Sequence, residues 1–391
     1  MKNIGIFEIK HHHVYLSNMC RICKTENTEV TVFTTPNIFL KLKHVLRDTS
    51  QFRFVIKKEN ENYSSFFRRV EKICNKEIDL LFVNTIQGNL LDLFHFLRFN
   101  PKTKKILTIH NVNLWLKPRI TLKIKNGKHY PAILRTINSD ICSMIRHLIL
   151  PKYDAINVLY PPMKNYILEN TSYKKDIYTI PHSFYEEIPI LQKTHDDLRF
   201  LIPGVILEGR GDYKTLIKIF REIFPIYSNI EVYLLGYPKD RYGYEIIQQC
   251  KKLEDQGFKI YYFNKPIPYN TWRNIFIESD VAILPFKKYY AYDSNNIELW
   301  GTTKASGSMF ECIQYAKPFI VPHYFNLMEE IKTSTLKYED SEDLKKLIER
   351  LINDKEKINY LKKEALKNSK KFSLQNIQKY FKKEILKEKS W

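Results

Sequence analysis

Between Gly301 and Pro322 the chain reads GTTKASGSMFECIQYAKPFIVP, and the residue types in that run suit the holding of a phosphorylated ligand. Ala305, Ser306, Gly307 and Ser308 bring little side-chain bulk and several backbone N–H groups to the point where a helical pattern begins. A helix start of that kind attracts anions, because its first amides have no partner within the helix and its dipole is positive there. Glu311 falls on the first turns of the same helix, near the same mouth. Lys317-Pro318 then closes the helix ahead of a short apolar strand, Phe319 to Val321, so loop, helix and strand form one unit of an α/β layer.

Other residues could serve the same chemistry. His110 follows a buried-strand pattern, Lys105 to Ile109, and faces either a core and capping role or a place in a cleft. His11, His12 and His13 follow the first strand. Three adjacent side chains point in different directions, so no metal is expected there, and His12 and His13 are read either as contacts to acceptor or phosphate or as a solvated loop. The segment Lys287 to Lys304 carries Tyr289, Tyr290, Tyr292, Asp293 and Glu298 between a strand end and the phosphate loop. Ligands of open α/β sheets bind at the carboxyl ends of strands, and aromatic rings beside a carboxylate suit a sugar. A purely structural tyrosine-rich loop is the alternative.

These residues need a frame. The first half alternates strand-like runs (29–33, 52–56, 79–83, 106–109, 155–159) with helical ones near 62–75, 88–98 and 133–149. The second half does the same, with strands at 199–202, 230–235, 258–263, 281–285 and 319–321 and helices at 212–224, 242–256, 269–278 and 306–316. Such alternation builds parallel sheets covered by helices, and 391 residues exceed what one hydrophobic core usually serves. Two Rossmann-like domains are expected, 1–185 and 198–370, joined by a polar linker 186–197 and followed by a C-terminal helix at 371–391.

Three segments give this frame a family. The helix-and-strand unit around Glu311 resembles the donor-binding segment of the family 4 retaining glycosyltransferases, which have the GT-B fold. In that family the second carboxylate of a Glu-x7-Glu element holds the nucleotide ribose, which is the position of Glu311, while the first carboxylate position is Thr303 here. The run from Phe200 through Gly204 to Leu216 resembles the opening strand of the donor domain and its Gly-Arg-x4-Lys-Gly turn. Arg210 takes the lysine position, where a guanidinium can grip a diphosphate through forked hydrogen bonds, and Val205 takes the arginine position. Lys214 or Lys304 is the candidate replacement cation. His110 is similar to the strand-end histidine that faces the interdomain cleft in such enzymes and orients the donor sugar. Ile180-Pro181-His182-Ser183 resembles the element that ends their first domain, with His182 as a hinge. Relatives hold the nucleobase in the turn that here spans Phe263 to Ile267, and they carry a glycine-rich loop where this chain has its histidines. A final helix that crosses back to brace the first domain is implied as well.

The resemblance implies a metal-independent, retaining transfer of a sugar from a nucleotide-sugar donor to a glycan or lipid-linked acceptor, as in polysaccharide or glycoconjugate synthesis. Arg210, Glu311 and His110 would be central, with Gly204, Ser306, Gly307 and Ser308 around the donor. A partner subunit that binds nucleotide-sugar without turnover is the alternative, because Thr303 and Val205 depart from the pattern. An epimerase on the same fold would need further carboxylates in the cleft.

Composition bounds the rest. A hydrophobic content of 44% excludes a disordered chain, and no run of about 18 apolar residues marks a span. With Met1-Lys2 leading directly into a strand, a cytoplasmic protein is expected, and six scattered cysteines fit reduced thiols. Cys20-Arg21-Ile22-Cys23 has no second pair to complete a zinc site. The 63 Lys and Arg against 43 Asp and Glu leave +20, which favours an anionic partner. No nucleic-acid motif accompanies that charge, so nucleic acid is not expected. From Lys117 to Lys152 eight cations face one acid, Asp140, beside an apolar stripe of Leu134, Ile137, Ile141, Met144, Ile145 and Leu148. That stripe either packs on a sheet or docks peripherally on an anionic membrane.

Overall fold

A strand such as Asn3 to Phe7 is apolar at nearly every position, so it must be covered on both faces, and the amphipathic stretches between strands supply that cover. The computed structural model describes residues 1–46, 48–87, 89–117, 130–187, 197–291 and 296–388. Among them the first half forms a parallel sheet of seven strands: β1 (Lys2–Glu8), β2 (Thr28–Thr34), β3 (Arg53–Ile56), β4 (Leu80–Val83), β5 (Lys104–Ile109), β6 (Ala155–Val158) and β7 (Asp176–Thr179). Their order is β3-β2-β1-β4-β5-β6-β7. The second half supplies β8 (Leu198–Pro203), β9 (Ile230–Leu235), β10 (Ile260–Tyr262) and β11 (Val281–Ile283). An antiparallel hairpin follows, β12 (Tyr289–Ala291) and β13 (Ile297–Leu299), and then β14 (Phe319–Pro322) and β15 (Thr335–Tyr338). Six of these make a second parallel sheet, β10-β9-β8-β11-β14-β15.

The direction of travel decides which face each helix covers. From β1 the chain steps outward through the helices His13–Cys23 and Pro36–Val45 to β3. It then returns and steps the other way through Tyr63–Glu77, Leu90–Arg98, Tyr130–Ile149 and Pro161–Asn170. Parallel crossovers are right-handed, so the two groups cover opposite faces of the sheet. Phe7 of β1 packs at 5.1–6.1 Å from Phe66, Phe67, Phe96 and Phe99 of the second group. In the second sheet Phe200 meets Phe220 at 5.9 Å.

The C-terminal segment does cross back. Helix Leu374–Tyr380, continued by the wider turn Phe381–Ile385, lies on helix His13–Cys23. Gln378 Nε2 donates to the carbonyls of Arg21 and Lys24 at 3.0 and 2.7 Å, and Lys2 Nζ donates to the carbonyl of Leu386 at 2.7 Å. Most of the expected linker, residues 188–196, lies outside the described residues. Cys20 and Cys23 are buried in helix His13–Cys23, and burial pushes both thiols above their usual range.

Candidate active site

The carboxyl ends of the two sheets face each other, and a cavity of about 590 Å³ lies between them. His12, His110 and His182 line it from the first half, and Lys304, Gly307 and Glu311 from the second. The second-half wall begins where β8 ends. Gly204 has φ +103°, and a Cβ there would stand 2.1 Å from Arg210 Nη2. Behind it, a Cβ on Gly236 would stand 1.9 Å from the Gly204 carbonyl oxygen. These two glycines let the turn double back and bring the Arg210 guanidinium over its own strand end. Arg210 Nη2 donates to Ser308 Oγ at 2.6 Å and to the Pro203 carbonyl at 3.3 Å. Ser308 in turn donates to Pro203 at 3.1 Å.

The cation is thereby fixed against the first turn of helix Gly307–Gln314, where the anion-attracting amides are. Ser306 is the residue before that helix, and its buried hydroxyl has no partner. Glu311 follows one turn on. Burial pushes its carboxyl up to about 7, opposed by Arg210 and by a hydrogen bond from Ser308.

Of the two candidate replacement cations, the structure brings only Lys304 to this cavity. Its Nζ donates to Asn111 Oδ1 at 2.7 Å and stands 4.6 Å from the Tyr290 ring centroid and 5.2 Å from that of Trp300. Burial lowers the ammonium to about 8, with Glu298 opposing and Arg210 adding to the drop. Lys214 is on the outer side of helix Tyr213–Ile223, half-exposed, with its ammonium 3.5 Å from Glu245. It does not line the cavity, because the first turn of that helix turns outward toward helix Arg241–Glu254. Phe263 and Ile267 follow edge strand β10, half-buried, and also lie off the cavity lining, and Gly204, Arg210, Ser306 and Ser308 stand behind Gly307 rather than on the lining itself. Tyr292 and Asp293 are outside the described residues.

The histidines form a run of rings across the cleft. His12 stacks on His110 with centroids 4.5 Å apart, His110 meets the edge of Tyr15 at 5.6 Å, Tyr15 stacks on His182 at 5.4 Å, and His182 on Phe310 at 5.9 Å. Phe310 belongs to helix Gly307–Gln314, so the run joins the two halves. Burial lowers His12 to about 3, His182 to about 4 and His110 well below the usual imidazole range. All three are therefore neutral at pH 7. His110 Nε2 lies 3.1 Å from the Asn84 carbonyl, an acceptor, so the proton sits on Nε2 and Nδ1 is left to accept. His12 reaches its place through a left-handed backbone, φ 57°. His13, the first residue of helix His13–Cys23, also lines the cavity. His182, read in the sequence as a hinge, is a cleft residue with a buried, unpartnered Nδ1.

No protein-family model and no curated protein matches the chain. Solved structures do. A point mutant of Staphylococcus aureus TarM in complex with UDP, α-GlcNAc-glycerol and fondaparinux superposes with TM-score 0.65 at 10% identity, covering 97% of this chain and 99% of that one. Anabaena HepE in complex with UDP and glucose gives 0.63 at 12% identity, covering 97% and 98%. The chain has the GT-B fold. Enzymes of another kind share it: the UDP-GlcNAc 2-epimerase from Neisseria meningitidis bound to UDP-GlcNAc gives 0.53 at 13% identity, covering 99% and 100%. The expected two-sheet architecture and returning C-terminal helix thus stand, while likeness at this level of identity leaves activity to the site.

Glu298, read in the sequence beside the tyrosines as a sugar contact, is off the cavity lining and does a different job. Glu298 of β13 is fully buried, and its carboxylate accepts the amides of Asn113 at 3.2 Å and Leu114 at 2.9 Å, on the short helix Val112–Leu116 that follows His110. Thr303, in the place of the family's first carboxylate, is buried too. Its hydroxyl accepts from the Leu299 amide at 2.7 Å, and its carbonyl accepts from Val112 at 2.9 Å. The insertion after β11 therefore ties one GT-B half to the other beside the cleft. Trp300, with a buried, unpartnered Nε1, and Tyr15 also belong to the site without having been legible as such.

Proposed function

We propose that this protein is a retaining, metal-independent glycosyltransferase that moves a sugar from a nucleotide-sugar donor to a glycan or lipid-linked acceptor in polysaccharide or glycoconjugate synthesis. The carrying observation is that Lys304, Gly307 at the start of helix Gly307–Gln314 and Glu311 line one end of the interdomain cavity, with the Arg210 guanidinium held just behind that helix start by Ser308. Two cations and free amides suit a diphosphate leaving group, a single raised carboxyl suits ribose hydroxyls, and neutral imidazoles beside Trp300 and Tyr290 suit a sugar. Stabilising the departing diphosphate and placing the acceptor would supply the rate, with no enzyme nucleophile required.

Thr303 favours one other reading, a subunit that binds donor without turnover, since no carboxylate stands at its position. An epimerase is supported less, because among the described residues Glu311 is the only carboxylate lining the cavity. Incubating purified protein with donor and following released nucleotide and the anomeric configuration of the product by NMR separates these readings. Transfer with retention supports the proposal, and binding without any release supports the partner subunit. Release with an inverted anomer excludes the retaining mechanism.

Glu311→Gln is expected to weaken nucleotide binding by about 1–3 kcal/mol, the scale of a lost hydrogen bond to a charged group. Affinity should also vary with pH, with a definite sign. A ribose hydroxyl donates more strongly to Glu311 when the carboxylate is ionised, so binding releases a proton and strengthens as pH rises through about 7. The diphosphate needs Lys304 charged, so binding takes up a proton and weakens as pH rises through about 8. Calorimetric titration should give a maximum between these limits whose acid limb disappears in Glu311→Gln. A flat profile in the parent protein would remove both assignments.

A further inference from the structure

Away from the cleft, the face of the first sheet covered by helices Tyr63–Glu77, Leu90–Arg98 and Tyr130–Ile149 carries an apolar surface that no described part of the chain covers. Leu90–Arg98 and Tyr130–Ile149 pack side by side, each between successive strands of the same face, so their outer sides point the same way. Each buries one side: Leu93 and Phe96 on the first, Cys142, Ile145 and Ile149 on the second. Each also exposes large apolar side chains on the opposite side. Leu91 is 70% exposed and Phe94 41%, and on the neighbour Ile141 is 37%, Met144 54% and Leu148 58% exposed. Of the sequence stripe, Leu134 and Ile137 lie outside the described side chains, Ile145 is buried, and Ile141, Met144 and Leu148 are exposed, while Arg146 of the basic run is buried.

Charge selects the occupant. Among the described residues of these two helices no acid is exposed: Asp92 is buried and paired with Lys10, and Asp140 is buried. Exposed cations lie nearby instead, with Arg98 at the end of the first helix, Lys102 after it, and Lys72 and Lys76 on the adjoining Tyr63–Glu77, whose acids Glu71 and Glu77 are half-buried and engaged by the Asn100 amide and by Arg53. We infer that this face docks on an anionic lipid bilayer, the apolar side chains entering the headgroup boundary and the cations meeting lipid phosphates. Scattered single apolar residues would need no explanation, but five on two adjoining helices without an exposed acid form a patch. No helix among the described residues is long and apolar enough to cross a membrane, so attachment would be peripheral.

Vesicle flotation tests this with the full chain, using phosphatidylcholine alone and phosphatidylcholine with roughly one part in five phosphatidylglycerol. The protein should float with the anionic vesicles, much less with the neutral ones, and less as salt rises. Phe94→Glu with Met144→Glu should lower the anionic partition by about tenfold or more, since both sites are exposed and a carboxylate there is repelled and costly to desolvate. Circular dichroism checks that this variant is folded, and Leu91→Ser with Leu148→Ser provides a second, milder one. Absent flotation, equal flotation on both vesicle types, or equal partition of parent and folded variants would overturn the proposal. So would a concentration-dependent dimer in gel filtration that these substitutions dissolve, which would make a second copy the occupant. Donor binding is read separately, so failure here leaves the glycosyltransferase reading untouched.

Discussion

Replacing Arg210 by alanine is expected to lower kcat by about 10²–10³-fold, comparable with losing one donor from an oxyanion hole, while KM rises far less. Negative charge on the bridging diphosphate oxygen grows as the bond to the sugar breaks, so a cation fixed beside it favours the transition state over bound donor. Arg210 is fixed by bonds to Ser308 and Pro203, so little reorganisation accompanies the reaction. With Val205 where a second cation would stand in the pattern this segment resembles, Lys304 alone would share the load. Arg210→Lys should restore part of the rate, since an ammonium keeps the charge but not the forked contact. Steady-state kinetics on folded samples decide it: turnover within twofold of the parent in the alanine variant would displace the diphosphate from this end of the cleft.

Gly204→Ala should come close to the same loss without removing any charge. A Cβ at this position falls 2.1 Å from Arg210 Nη2, and φ +103° is a conformation that side-chain-bearing residues rarely adopt. The flexible guanidinium will yield before the strand does, which swings it away from Ser308. We expect about a hundredfold loss of kcat together with about 1–3 kcal/mol of lost stability from backbone strain. Thermal unfolding and kinetics measured on one preparation separate the two effects. A strained but fully active variant would mean that the seat of Arg210 is irrelevant to the chemistry.

Much of the frame was legible because parallel strands buried on both faces announce themselves as apolar runs. Strand Ile230–Leu235 and helix Tyr269–Glu278 fall where the pattern placed them. Helix Pro36–Val45 and strand β7 went unread: the first buries only Ile38 and Leu42, and the second is four residues at a sheet edge. Within the site, the helix start from Ser306 to Glu311 was readable because small residues ahead of a helical pattern are a local feature of one segment. The choice between Lys304 and Lys214 was not, since it depends on which way a helix turns relative to a second domain. Glu298 illustrates the same limit: its carboxylate beside tyrosines suggested a sugar contact, but its actual partners, the amides of Asn113 and Leu114, are distant in sequence and carry no side-chain signature.

The most direct test of the central claim, that the cleft between the two sheets holds a nucleotide-sugar through Arg210, Lys304 and Glu311, is a thermal-shift titration of the purified chain against UDP-, GDP-, ADP-, CMP- and dTDP-sugars. A ligand at a hundred times its dissociation constant stabilises the folded state by about 2.7 kcal/mol, well within reach of the method. The account predicts a saturable shift with one of these donors that shrinks in Glu311→Gln. A folded protein that shifts with none of them, or whose shift is the same in Glu311→Gln, would contradict it.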